Sequence, residues 1–136
     1  MEQNFYEKLL VRKLNNWEVK FIQHDFLSDK AIQGTFDLII SNPPYISQDD
    51  YDNLEPTIKH HEPKHALTDF NDGLTFYKAF ANKAKKLLQP KGVMLLEIGL
   101  EITKNEISKI FLNKGYVLRW HKDYNDNYRV LELHNE

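Results

Sequence analysis

Apolar residues in this chain follow two periods that alternate along its length. Over positions 3–16, Phe5, Tyr6, Leu9, Leu10 and Leu14 recur at three- and four-residue intervals, with Glu7, Lys8, Arg12 and Lys13 between them. That spacing predicts an amphipathic helix. Positions 19–23, Val-Lys-Phe-Ile-Gln, alternate in the manner of a short strand. Gly34-Thr35 introduces a second strand over 36–41, and its Leu38-Ile39-Ile40 run is apolar on both faces, as a buried parallel strand requires. Leu74, Tyr77, Phe80, Ala81, Ala84, Leu87 and Leu88 predict a helix ended by Pro90 and Gly92. Positions 93–98 read as a third, buried strand. Thr103-Lys104-Asn105-Glu106 has the form of a capping box. It opens a helix with Ile107, Ile110 and Phe111 turned inward and Gly115 as a left-handed cap. Positions 116–122 and 128–134 then predict an antiparallel hairpin.

The order helix, strand, strand, helix, strand, helix, strand, strand argues for an α/β fold, mostly parallel, with an antiparallel strand at the end. Positions 46–72 interrupt it with a polar, irregular stretch in which Tyr51, Leu54 and Ile58 allow a helical turn or two. Connections of that length in small domains are usually functional or mobile. With 136 residues the chain is expected to form one domain, 1–136. It contains no cysteine, which excludes disulfides and thiolate metal sites and suits a cytoplasmic protein. No apolar run is long enough for a membrane helix, and the start does not resemble a signal peptide. A net charge of −2 gives no basic footprint for nucleic acid.

The chemically unusual stretch is Ser41-Asn42-Pro43-Pro44-Tyr45, directly after the second strand. Neither proline has an N–H and both fix φ, so neither ladder nor helix can continue through them. Asn42, before a proline, is pushed toward an extended backbone. The result is a rigid hook at the carboxyl end of a strand, where open α/β sheets bind ligands. An amide nitrogen is a poor nucleophile because its lone pair is delocalised. The Asn42 side-chain carbonyl and the Pro43 backbone carbonyl could accept hydrogen bonds from both N–H groups of such a nitrogen and turn its lone pair toward an electrophile. Tyr45 could form a wall against a planar group. With a good electrophile, catalysis is then chiefly positioning and exclusion of water. The bland alternative is a stiff turn.

Ser41-Asn42-Pro43-Pro44-Tyr45-Ile46 resembles the signature of class I S-adenosylmethionine-dependent methyltransferases that act on amide or amine nitrogen. Further stretches resemble one branch, the HemK/PrmC-type release-factor glutamine methyltransferases. These are Phe21-Ile22-Gln23-His24-Asp25, Glu62-Pro63-Lys64-His65-Ala66-Leu67, Asp72-Gly73-Leu74 with Tyr77, Leu96-Glu97-Ile98-Gly99, and Asp123-Tyr124 to Arg129-Val130. They follow the family's order across 17–133. The resemblance implies that Asn42, Pro43, Pro44 and Tyr45 hold a glutamine amide from the Gly-Gly-Gln loop of a peptide-chain release factor. It also implies that Asp25 approaches the cofactor's adenine, Phe26 borders the ring and Asn42 lies at the methyl end, although spacing alone makes Asp25 a turn residue. Positions 62–67 would help order a loop closing over the substrate.

The family's glycine-rich turn after its first strand, and its ribose-binding carboxylate after the second, have no counterpart in these 136 residues. The chain therefore reads as the C-terminal portion of a class I methyltransferase domain, a Rossmann-like sheet without its first two strands. That class orders its strands three-two-one-four-five-seven-six, so one edge of strand 36–41 would be bare. A bare apolar edge is a template for pairing. A homo-oligomer, the missing N-terminal half, or a rearranged N-terminal segment is expected there, together with weak cofactor binding and little turnover by this chain alone. The rivals are a DNA adenine methyltransferase fragment, which would need a basic DNA-facing surface, and a non-catalytic partner-binding remnant. His60, His61, His65 and Glu62 raise a metal site, but adjacent histidines do not readily converge on one ion, and a solvated loop is the better reading. Trp17 and Trp120 read as packing residues, and Lys83, Lys85 and Lys86 as the wet face of a helix.

Overall fold

The computed structural model describes residues 19–99 and 103–135. Its elements run β1 (Phe36–Ser41), three short helices α1 (Gln48–Asp52), α2 (Pro56–His61) and α3 (Lys64–Leu67), then α4 (Thr75–Leu87), β2 (Leu88–Glu97), α5 (Lys104–Leu112), β3 (Tyr116–Lys122) and β4 (Tyr128–Asn135). Four strands make one sheet in the order β1-β2-β4-β3. β1 pairs parallel with β2, and β4 runs antiparallel to both β2 and β3. Three strands thus point one way and β4 the other. This is the four-five-seven-six half of the class I methyltransferase order.

Strand alternation decides where the core lies. Met94 and Leu96 of β2 and their partners Leu133 and Leu131 of β4 are fully buried on one face. Tyr77, Phe80, Ala81 and Ala84 of α4 and Ile107 and Phe111 of α5 close over them. The alanines let a strand residue come close: the Tyr116 hydroxyl donates to the Ala81 carbonyl at 3.0 Å and accepts from the Lys85 amide at 3.0 Å. Phe111 meets the Tyr116 ring edge-on at 5.7 Å. The opposite face carries Leu38 and Ile40 at its β1 end, and Glu132 between His121 and His134 at its hairpin end.

Several boundaries differ from those the sequence predicts. Positions 19–23 are irregular rather than a strand: among the described residues β1 pairs only with β2, and an extended segment with no neighbouring ladder has no strand to join. α4 stops at Leu87, and Pro90 and Gly92 lie inside β2. The register there jumps from Phe36↔Leu88 to Leu38↔Val93, so β2 advances five residues while β1 advances two. Proline has no N–H to give the ladder, and the strand bulges around it. Thr103 has helical backbone angles and makes no side-chain cap bond, so the capping box does not form. Gly115 does close α5 in the left-handed region, at φ 71°. The helix expected over 3–16 and Trp17 lie outside the described residues.

Candidate active site

The hook leaves the carboxyl end of β1 with Asn42 exposed, Pro43 buried and Tyr45 half-buried. It is stitched at once to the far end of the long connection. The Ile46 amide donates to the Leu67 carbonyl at 3.0 Å, and the Gln48 amide to the Asn71 carbonyl at 2.9 Å. Gly73, at φ 79°, packs so closely on the Tyr45 carbonyl that a Cβ there would stand 2.5 Å from its oxygen. Both facts exclude other residues at that position. Asp69 fixes the turn that delivers Gly73. Its Oδ1 accepts from the Asn71 amide at 2.9 Å and the Gly73 amide at 3.0 Å, and its Oδ2 from the Thr75 amide at 2.9 Å. Burial alone would raise the Asp69 carboxyl, but hydrogen bonds from Thr75, Asn71 and Gly73 outweigh it and hold the group below its ordinary value.

The Tyr45 ring lies against Gly99, just past β2, where a Cβ would fall 2.2 Å from Cδ2 and Cε2. Burial pushes the Tyr45 phenol up, the Glu97 carboxylate adds to that, and Arg129 opposes it. At neutral pH Tyr45 is therefore an uncharged hydroxyl. Beneath it, the fully buried Tyr77 donates its hydroxyl to the Glu97 carbonyl at 2.8 Å, tying α4 to the carboxyl end of β2.

Of the cofactor-side residues, Phe26 rests on Phe80 with ring centroids 4.3 Å apart. Lys83 lies over the Phe26 ring and donates to the Phe26 and Ser28 carbonyls. Lys83 is therefore a clamp on this loop and not part of a wet face, whereas Lys85 and Lys86 are exposed as expected. A groove of about 510 Å³ runs between Phe26, Phe76 and Phe80 and the β1 edge, bordered at its end by Ser41, Asn42, Pro43 and Pro44. Phe26 and the hook thus share one cavity. Asp25 and Tyr45 do not line it. Asp25 is exposed, and its Oδ1 accepts from the Leu27 amide at 2.9 Å, the turn role that spacing alone suggests.

The long connection is folded rather than irregular. Its three short helices keep His60, His61, Glu62 and His65 exposed, and among the described residues no group of three such side chains could hold a metal. Lys64 lies over both the Tyr51 and Phe70 rings, at 4.7 and 5.1 Å, drawing this segment together beside the hook. Trp120 meets Tyr128 edge-on at 6.2 Å, a packing role as expected. Sequence reasoning put Lys83 on a wet helix face and gave no role to Asp69, Gly99 or Arg129. The last two fall inside stretches that carry the family resemblance, which was the signal available for them.

The model of the family described as Eco57I restriction-modification methylase matches residues 2–135. The chain belongs to this methylase family. Individual relatives narrow the likeness. A protein of Fusobacterium nucleatum named release factor glutamine methyltransferase is 40% identical over 126 residues, covering 92% of this chain and 35% of its own length. One of the same name from Clostridium acetobutylicum is 39% identical over 108 residues, covering 78% of this chain and 38% of its own. The resemblance to release-factor glutamine methyltransferases is thereby borne out, and the chain spans little more than a third of the length of these curated relatives. In fold, a methyltransferase crystal structure from Pyrococcus furiosus superposes with TM-score 0.62 at 23% identity, covering 98% of this chain and 58% of that one. Among the described residues no helix is long and apolar enough to cross a membrane.

Proposed function

We propose that this methylase-family chain provides the acceptor half of an S-adenosylmethionine-dependent methyltransferase, acting on the side-chain amide of a glutamine in a peptide-chain release factor. The observation that carries the reading is the hook itself. Asn42 stands exposed at the head of a cavity, on a backbone fixed by two prolines and stitched to residues 67–73. In this reading the Asn42 Oδ1 and the Pro43 carbonyl accept hydrogen bonds from the two N–H groups of the substrate amide, and the neutral Tyr45 ring flanks its plane. The gain is orientation of one nitrogen lone pair without prior deprotonation. Relatives named for release-factor glutamine favour this substrate over DNA adenine, as does a net charge of −2.

The residues present suit part of a cofactor site. Phe26 offers a ring face at the cavity and Asn42 its other end, while the sequence holds no glycine-rich turn for the remainder. Bound there, S-adenosylmethionine would supply an electrophilic methyl group. Phe26 would border its adenine; Asp25, next to Phe26 in the chain but outside the cavity lining, would have to turn inward to offer its Oδ2 to the exocyclic amine. The complementary strands would come from an N-terminal half, or from a second copy, along β1. Leu38 and Ile40 are 51% and 70% exposed there, consistent with a surface built for covering.

The test is methyl transfer from labelled S-adenosylmethionine to a release factor, by this chain alone and with an N-terminal fragment of a relative. Label on the Gly-Gly-Gln glutamine only in the mixture is the expected result, with Asn42→Ala lowering it about 100-fold. Micromolar cofactor binding by the chain alone would overturn the divided site. Methylation of DNA adenine in place of the release factor would overturn the substrate.

A further inference from the structure

The β3–β4 turn reaches the hook through one side chain. Asp123 accepts from the Asn125 and Asn127 amides with Oδ1, at 2.9 and 3.0 Å, and from Arg129 Nε with Oδ2 at 2.9 Å. Arg129 Nη1 then donates to the Gly99 carbonyl. The Arg129 backbone carbonyl also accepts from the Ile98 amide at 2.8 Å. Arg129 therefore grips the chain leaving β2 twice, once through its backbone and once through its guanidinium. Gly99 is the residue against which the Tyr45 ring lies, with no room for even a methyl group. A guanidinium is a planar, rigid fork, so fixing Nε on Asp123 also fixes where Nη1 points.

We propose that Arg129, oriented by Asp123, is a positioning residue: it sets the place of Gly99 and so the place of the Tyr45 ring at the end of the hook. The hairpin is then part of the acceptor site although none of its side chains lines the cavity. The role in setting the space beside the substrate amide rests on the glutamine reading above; the Arg129–Gly99–Tyr45 linkage does not. A side chain that only stabilised the hairpin would leave the Tyr45 ring where it is when the hairpin stays folded. A positioning side chain would not.

Nuclear magnetic resonance on the full chain separates the two. Cross-relaxation between Gly99 Hα and the Tyr45 ring protons reports the contact, and hydrogen-exchange protection of the Ile98 amide reports the backbone pairing with Arg129. In Arg129→Gln the Gly99–Tyr45 cross-peaks should vanish while Ile98 stays protected. Arg129→Lys should fail likewise, because it keeps the charge but not the fork. Cross-peaks of normal strength in both variants would overturn the proposal. If Arg129→Gln loses the Ile98 protection as well, Asp123→Asn decides: weakened cross-peaks with Ile98 protected support the proposal, and unchanged ones overturn it. The contacts are read without turnover, so a wild-type chain that methylates no release factor would refute the glutamine reading and leave this result standing.

Discussion

The two ends of the groove are built in opposite ways. Beyond the hook, the chain is held by named partners: Leu67 and Asn71 hold positions 46 and 48, Asp69 holds Gly73, and two glycines receive Tyr45. Along β1, apolar side chains meet solvent instead, with Phe36, Leu38 and Ile40 each at least 40% exposed. The second region is β1 itself and the first is the chain that leaves its carboxyl end. The difference shows that the hook is held in place by contacts within this chain, while the β1 face beside it leaves a row of apolar side chains exposed.

The sharpest way to test that contrast is a matched pair of truncations. Leu131 is fully buried between Leu96 of β2 and Trp120 of β3, and Leu131→Ala should cost about 3 kcal/mol in urea unfolding. Ile40→Ala, on a side chain 70% exposed, should stay within about 0.5 kcal/mol. A comparable loss at both positions would mean that Ile40 is covered in solution, and its dependence on protein concentration would then show whether a second copy provides the cover.

Next in size is Gly73→Ala. The substitution forces a side chain into φ 79° and sets a Cβ 2.5 Å from the Tyr45 carbonyl oxygen. Left-handed strain and overpacking together should cost about 2 kcal/mol or more, read from the shift in the urea midpoint. Gly34 provides the control at the other end of the comparison. It has φ 94° but nothing within 4 Å of a Cβ, so Gly34→Ala carries only the backbone strain. Equal costs would show that the close packing behind Tyr45 contributes nothing.

The sequence made one of these regions readable and left the other ambiguous. The three- and four-residue spacing of Tyr77, Phe80, Ala81 and Ala84 and the alternation of Met94 and Leu96 both report burial directly, and the core is made of them. The prolines of the hook announce a rigid turn because their chemistry is local. Positions 19–23 alternate equally well but form no strand, since a ladder depends on a neighbour that periodicity cannot supply. Pro90 and Gly92 stop a helix or bulge a strand by the same local rules, and only the tertiary pairing with Phe36 chose the second. Lys83 was misread for a related reason: its spacing places it on the polar side of α4, but the carbonyls of Phe26 and Ser28 come to it from a distant part of the chain. The Arg129–Gly99 contact, which spans 30 residues, is likewise invisible to any short-range pattern.

A smaller effect probes how firmly the floor under the hook is tied. Tyr77→Phe removes only the hydroxyl that donates to the Glu97 carbonyl, leaving the ring in the core. The carbonyl is left with one partner fewer in a half-buried setting, at a cost of about 1 kcal/mol. The expected signature is a lower urea midpoint with faster exchange of the amides around 97–99. An unchanged midpoint would show that the ring alone seats α4 on β2.

The smallest effect is acid sensitivity at Asp69. Its carboxyl lies below the ordinary 3.8 in the folded chain, with burial opposed and outweighed by hydrogen bonds from Thr75, Asn71 and Gly73. A depressed folded value means that the ionised form favours folding. That contribution is complete above the unfolded pKa and is lost as pH falls through the folded value. The group is partly open to water, so the contribution is screened and modest. Lowering the pH from about 5 to about 2 should therefore narrow the stability difference between wild type and Asp69→Asn, as the Asp69 carboxylate takes up a proton and becomes neutral like the amide. The decline should be local as well as global, because Asp69 holds Gly73 and Gly73 receives the Tyr45 carbonyl. Exchange at the Ile46 and Gln48 amides should accelerate across that window more than intrinsic exchange chemistry accounts for. At the amides of Leu131 and Leu133, inside the core, it should not. A wild-type to Asp69→Asn difference that stays constant through the same range would show that the carboxylate's charge does not stiffen the hook, and that the Gly73 contact alone holds it.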